Sequence, residues 1–358
     1  MSTSTRTGPA GVAEHAERLW AAVTTGDEYA AADVVVQALG AGADPESLLL
    51  DVIGAVQRRV GQEWAANRLT VAQEHAATAI NDRVIATFGH VLKRPEPHLG
   101  RVTVACVDGE WHAMPARLLA EVLRLRGFQV DYLGAQVPAP HLVAHLHRTG
   151  PDAVALSGSI ATRLPTAHAT ITACQAAATP VIAGGAAFGP DGRYARLLGA
   201  EAWAPDARSA ADRLAEPLPG PHAGHQPLDD LPHLADQEYT LVTRSSGRLV
   251  KSVLTGLEER IPAMRTYTDL QRQHTAEDLA HIVEFLATAL YVGDSELFTG
   301  FLSWTAGILT ARGVPAASLV PALDLLEAEL RDFPRATDLL RTARTHLAEP
   351  AAGSGLSA

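Results

Sequence analysis

Apolar positions recur with helical spacing through "AEHAERLWAAVTTGDEYAAADVVVQALGAG", "DPESLLLDVIGAVQRRVGQEWAANR" and "TVAQEHAATAINDRVIATFGHVL", which predicts amphipathic helices across residues 10–94. Thr25-Gly26-Asp27, Gly40 with Gly42, and Asn67-Arg68 supply the breaks, and Asp44 before Pro45 reads as a cap followed by a first-turn proline. A four-helix bundle is the expected product. Between 99 and 214 the period changes. "RVTVACV", "QVDYLG", "DAVALSG", "TPVIAGG" and "EAWAP" read as short buried strands separated by helical stretches, which predicts a doubly wound parallel sheet, Rossmann-like in layout. Residues 215–237 are rich in Pro, Gly and His without an apolar period and read as a linker with solvated histidines. From 239 to 348 helical spacing returns, predicting a separate all-α domain. The fold class is thus α/β with flanking all-α domains, and no internal repeat relates the two helical regions.

Composition narrows the function classes. A chain of 358 residues with 47% hydrophobic content can bury real cores. No apolar run is long enough to span a bilayer, and "MSTSTRTGPAG" lacks the core of a signal peptide, so a cytoplasmic protein is expected. Only Cys106 and Cys174 are present, which excludes a disulfide framework and cysteine-based zinc or iron–sulfur sites. The net charge of −11 argues against binding to a phosphate backbone. Nucleic acid is not an expected direct partner.

The turn in "VACVDGEWHAMPARLLAEVL" passes from a strand to a helix, where a dinucleotide fold would place G-x-G-x-x-G; here it holds only Gly109. It carries His112 instead, with Glu110 two residues before it. Glu110 can take a hydrogen bond from one ring nitrogen and fix the tautomer, the arrangement that makes an imidazole a better metal ligand. One protein ligand cannot hold a bare ion tightly, but it can complete the axial position of a metal already held by a macrocycle.

These residues resemble the cobalamin-binding domains, whose Asp-x-His-x-x-Gly turn is followed by a serine strand end and a Gly-Gly pair. Here the pattern reads Glu110-Trp111-His112-Ala113-Met114-Pro115, then Ser157-Gly158-Ser159, then Gly184-Gly185. The resemblance implies that His112 is the lower cobalt ligand, displacing the dimethylbenzimidazole base. It also implies that Ser157 hydrogen-bonds the displaced base, with Ser159 in the same cofactor-binding strand end, and that Gly184 and Gly185 let the tail pass near the backbone. Glu replaces the family's Asp, and Pro115 its Gly. Met114 fits packing better than chemistry.

The cap ahead of this domain contains Trp64, nine residues, then Glu74-His75. That spacing looks like the adenosylcobalamin-dependent light sensors of the CarH type, in which the Trp and Glu line the adenosyl pocket. Those sensors place a histidine after the Trp as the light-state ligand, whereas this chain has Ala65; either water, His75 or another rearrangement caps the cobalt after photolysis, or the bond is not used as a photoswitch at all. The roughly ten residues before the bundle leave no room for the sensors' winged helix–turn–helix, so a different output is expected. Cap, cobalamin domain and C-terminal helices together resemble the photocobilins, which pair cobalamin with biliverdin. On that likeness Arg265, Tyr267, Arg272, His274, His281, Tyr291 and Trp304 are the residues offered to a non-covalent bilin, for its propionates, pyrrole nitrogens and ring walls.

Bland roles stand beside these. Trp64 and Trp304 fit core stripes, Glu74-His75 a solvated pair, and the C-terminal cluster polar faces of an interaction helix. The resemblance implies a non-enzymatic photoreceptor that binds adenosylcobalamin and biliverdin and changes its homo-oligomeric contacts in light, with an unidentified downstream partner. The alternatives are a corrinoid methyl carrier serving a methyltransferase and a cobalamin-responsive protein-interaction module.

Overall fold

The computed structural model describes residues 9–92, 95–221 and 231–348; positions 93 and 94 of the expected bundle and 222–230 of the expected linker lie outside them. The chain divides into two compact units, Met1–Gln226 and Pro227–Ala358.

The first unit opens with helices Pro9–Thr25 and Glu28–Gly40, a helical run Pro45–Ser47, Leu48–Ile53 and Gly54–Ala65, and helix Val71–Val91. Gly26 has a φ of 78°, a left-handed value that glycine adopts without strain, and so lets the first pair of helices turn back on each other. Asp44 accepts the Ser47 amide at 2.8 Å, with Pro45 in the first turn. Thr70 and Gln73 form a reciprocal capping box at the start of the fourth helix. Leu48–Ile53 is π-helical, an irregular turn inside an otherwise continuous helix.

The five strands expected from sequence all form: β1 Arg101–Cys106, β2 Gln129–Gly134, β3 Ala153–Ser157, β4 Val181–Gly184 and β5 Ala202–Ala204. All pairs are parallel, in the order β2-β1-β3-β4-β5. Helices Met114–Arg126, Ala139–Thr149, Leu164–Ala176 and Ala207–Leu214 connect or flank them. One apolar core runs from Leu49, Ile53 and Phe88 of the bundle through Leu118 and Val122 to Val102 and Val104 of β1. Around it, Arg126 and Arg208 of the sheet region bind Glu46 and Asp51 of the bundle at 2.6–3.2 Å. The bundle is therefore seated on the sheet domain by both apolar packing and charge.

The second unit contains helices Glu238–Arg260, Asp269–Val292, Ser295–Ala311, Val320–Glu329 and Pro334–Ala348. The segment read as linker through 237 is partly built into it. A 3-10 turn, Pro232–Asp236, packs here, and His233 is no solvated loop residue: its Nε2 lies 2.6 Å from the Tyr291 carbonyl, and its ring sits against Gly293. Arg335 clamps the turn, donating to the His233 carbonyl and Asp236 at 2.7 Å and to the Leu290 carbonyl at 2.5 Å. Buried Glu238 accepts the Arg335 and Ala336 amides at 3.1 and 2.8 Å. Among the described residues no helix is long and apolar enough to cross a membrane.

Arg335→Met should remove three acceptors' partner at once and lower the unfolding free energy of the second unit by about 2–3 kcal/mol, measured by urea denaturation. A loss within error of zero would show that the clamp contributes nothing to stability.

Candidate functional site

In a sheet ordered β2-β1-β3-β4-β5, the connections from β1 and β3 leave in opposite directions, opening a crevice at the carboxyl edge between them. The loop after β1 is fixed on both sides of that crevice. Val107 donates to the Ser157 carbonyl at 3.0 Å, the Glu110 amide closes a turn to the Val107 carbonyl at 2.9 Å, and Gln136 donates to the Glu110 carbonyl at 2.9 Å.

Glu110 is wholly buried, and its carboxylate is fully engaged. One oxygen accepts the His112 amide at 2.8 Å and lies 2.7 Å from His112 Nδ1; the other accepts the Ser159 and Ile160 amides at 2.7 and 2.9 Å. Burial alone would raise its pKa. The bonds from the His112 ring, the His112 amide, Ile160 and Ser159 outweigh burial and hold it down at about 2. Because a carboxylate oxygen accepts, the hydrogen of the bond to the His112 ring is on Nδ1, and in that tautomer the lone pair of His112 is on Nε2, where it can bond a metal. The His112 side chain is 39% exposed, so that lone pair is reachable. Trp111, 54% exposed, stacks on the imidazole with ring centroids 4.0 Å apart. The Cys106 thiol beside this turn is pushed up to about 12 by burial and by the Glu110 charge.

Ser157 ends β3, in register with Cys106 of β1 on one side and Gly184 of β4 on the other. The structure thus brings Glu110, Trp111, His112, Ser157, Ser159, Gly184 and Gly185 to one edge. Gly185 has a φ of 99°, and a Cβ there would lie 2.3 Å from the Gly158 carbonyl oxygen; the glycine is required for the β3 and β4 loops to approach each other. Ile160, which enters through its backbone amide, had no side-chain signature that could reveal it. Arg163 was also missed; its guanidinium covers Gly109, 3.3 Å from where a Cβ would stand. Pro115 occupies the first turn of its helix, a position that needs no amide donor.

In the cap, Trp64 is half-buried on helix Gly54–Ala65, and Glu74 is 25% exposed near the start of helix Val71–Val91. His75 is exposed, with Nδ1 2.9 Å from the Val71 carbonyl and 2.7 Å from Glu74.

The residues considered for a bilin are dispersed. Arg265 and His274 are exposed, Tyr267 is half-buried, and Arg272 pairs with Glu258 at 3.2 Å. His281 is exposed, and Glu284, 3.7 Å away, raises its pKa. Tyr291 is a core residue rather than an accessible wall, because it lies 19 positions beyond Arg272, about 28 Å along the same helix, and packs edge-on against Tyr239 at 4.8 Å. Trp304 is 53% exposed and continues a row begun by Phe285 and Phe301, which stack at 3.8 Å.

The donor set suits a metal carried in a macrocycle. Among the described residues no three His, Cys, Asp or Glu side chains converge to hold an ion, while one oriented imidazole stands at the carboxyl edge of the sheet. Comparison with known proteins agrees. The B12 binding domain profile matches residues 100–215, and a second B12 binding domain profile matches residues 15–88. Trimethylamine corrinoid protein 1 of Methanosarcina acetivorans is 30% identical over 146 residues, 40% of this chain and 68% of that protein. The HTH-type transcriptional repressor CarH of Myxococcus xanthus is 31% identical over 176 residues, 48% of this chain and 57% of the repressor. The monomethylamine corrinoid protein of Methanosarcina barkeri shares the fold at a TM-score of 0.50, with 20% identity across 57% of this chain and 98% of that one.

Because Glu110 ionises at about 2 in the folded protein against an ordinary 4.5, its stabilisation is complete above pH 4.5 and is lost as pH falls towards 2. Glu110→Gln cannot titrate. The stability gap between wild type and this variant should therefore narrow as pH falls through that window, and a gap independent of pH would contradict the assignment.

Proposed function

Because the chain belongs to the B12-binding domain family, we propose that it is a light-sensing receptor for adenosylcobalamin, with His112 as the lower cobalt ligand, and not an enzyme. The observation that carries the reading is the buried Glu110 carboxylate, which locks His112 with Nε2 free. Adenosylcobalamin supplies a cobalt–carbon bond that visible light cleaves. With cobalamin bound, His112 would meet the metal through Nε2 while Glu110 accepts from Nδ1, and the displaced nucleotide tail would lie beside Ser157 and Ser159. Trp64 supplies a flat apolar wall and Glu74 an acceptor for the adenosyl group. Loss of that occupant in light would let the bundle re-seat against the sheet region and so change the contacts between copies of the chain. Kinship with CarH supports this light-sensing reading. Ala65 offers no side-chain ligand, so after illumination water, His75 or another rearrangement would have to supply one.

In the second unit the Phe285–Phe301–Trp304 row, with His281 one turn before Phe285, is the surface we assign to biliverdin. A second reading, a corrinoid methyl carrier, is favoured by the match to the trimethylamine corrinoid protein.

The full chain, co-expressed with a haem oxygenase and loaded with adenosylcobalamin in darkness, tests these readings together. Green light should change the cobalamin spectrum irreversibly and alter the elution volume on size exclusion. A red-absorbing pigment should separate from the chain in denaturant, since neither cysteine lies in the second unit. A spectrum and elution volume unchanged by light, with methylcobalamin preferred, would establish the methyl carrier; cobalamin binding without pigment would remove the bilin.

A further inference from the structure

Three polar side chains stand on the facing sides of helices Gly54–Ala65 and Val71–Val91, where the neighbouring Val60, Ala77 and Ile80 are buried apolar residues. Asn81 is fully buried, and its Nδ2 donates to Gln57 Oε1 at 2.8 Å. Gln57 Nε2 donates to Thr78 Oγ1 at 2.8 Å, and the Thr78 hydroxyl donates to Glu74 Oε1 at 2.9 Å. The chain therefore passes from one helix to the other and back, and ends on the carboxylate read above as part of the upper-face pocket.

Its direction follows from chemistry. An ionised carboxylate only accepts, so Thr78 must donate its single hydrogen to Glu74 and can only accept from Gln57. That acceptance turns the Gln57 amide so that its oxygen meets the Asn81 NH2. Asn81 Oδ1 is left buried without a partner among the described residues. Such a string costs stability relative to apolar filling of the same space, because each amide loses water and one acceptor regains nothing. It fixes Oε1 of Glu74, while His75 Nδ1 lies 2.7 Å from Oε2, so the carboxylate is held at both oxygens and the string sets the one on the bundle side.

We propose that Gln57, Thr78 and Asn81 are positioning residues that aim Glu74 and thereby set the preference for a cobalamin bearing an adenosyl group over one with a small upper ligand. This rests on the reading of Trp64 and Glu74 as the adenosyl pocket. An acceptor held in one rotamer meets the hydroxyls of a ribose without first being ordered, and that advantage is absent for a methyl or hydroxo ligand.

The test uses the full chain and dissociation constants measured in darkness for adenosylcobalamin and hydroxocobalamin. Thr78→Val keeps the side-chain shape and removes the link; Gln57→Leu removes it on the other helix. Both should weaken adenosylcobalamin binding about tenfold while leaving hydroxocobalamin within about twofold, the scale of one well-placed hydrogen bond. Thr78→Ser, which keeps the hydroxyl, should restore the wild-type ratio. Equal losses for both cobalamins in Thr78→Val and Gln57→Leu would overturn the proposal in favour of simple bundle damage. An unchanged ratio in those two variants, with the ratio lost in Glu74→Ala, would overturn the relay and leave the pocket standing. If Glu74→Ala and Trp64→Ala also keep the ratio, the pocket reading itself fails and the relay with it.

Discussion

The site depends on one buried carboxylate. Glu110 accepts two hydrogen bonds from His112 and two from the backbone that follows β3, so a single side chain orients the imidazole and also ties the β1 loop to the β3 loop. Its negative charge is tolerated without exposure only because all those donors converge on it. Without the β3 loop, which brings the Ser159 amide to 2.7 Å and the Ile160 amide to 2.9 Å, one oxygen of the buried carboxylate would lose both its donors. The Rossmann-like layout is thus more than a platform: the parallel pairing of β1 with β3 at the centre of the sheet brings together the two loops that orient the imidazole at its edge.

Much of this was legible in the sequence. The switch from helical spacing to short apolar runs located all five strands, because parallel strands covered on both faces read as continuous apolar stretches. Glu110 and His112 were visible as a pair because a two-residue spacing in a tight turn allows side chains to meet. What the spacing could not show was the other half of the carboxylate's bonding, since Ser159 and Ile160 contribute backbone amides that any residue could supply. The Gln57–Thr78–Asn81 string left a faint sign: polar residues at positions where the helical period calls for apolar ones. Polar side chains at such positions turn outward as often as they pair across a helix interface, and only the packed bundle distinguishes the two.

The second unit shows the opposite case. Its helices were evident from their period, but the residues gathered from one stretch of sequence separate once that stretch becomes a helix. Arg272 and Tyr291 stand at opposite ends of Asp269–Val292, and Tyr291 points into the core beside Tyr239. The aromatic row that does form, Phe285 with Phe301 and Trp304, joins two helices and so has no contiguous sequence signature. His233, taken with the linker, is held by the Tyr291 carbonyl because Arg335 folds its turn onto the helices.

Electron paramagnetic resonance of the protein loaded with cobalamin and reduced to the cobalt(II) state tests the axial ligand most directly. With His112 as the lower ligand, the cobalt signal carries splitting from one axial nitrogen, and that splitting changes when the protein is grown on histidine labelled with heavy nitrogen. A splitting that ignores the histidine label, or that survives unchanged in His112→Ala, would place the cofactor's own base on the metal and contradict the role derived for Glu110 and His112.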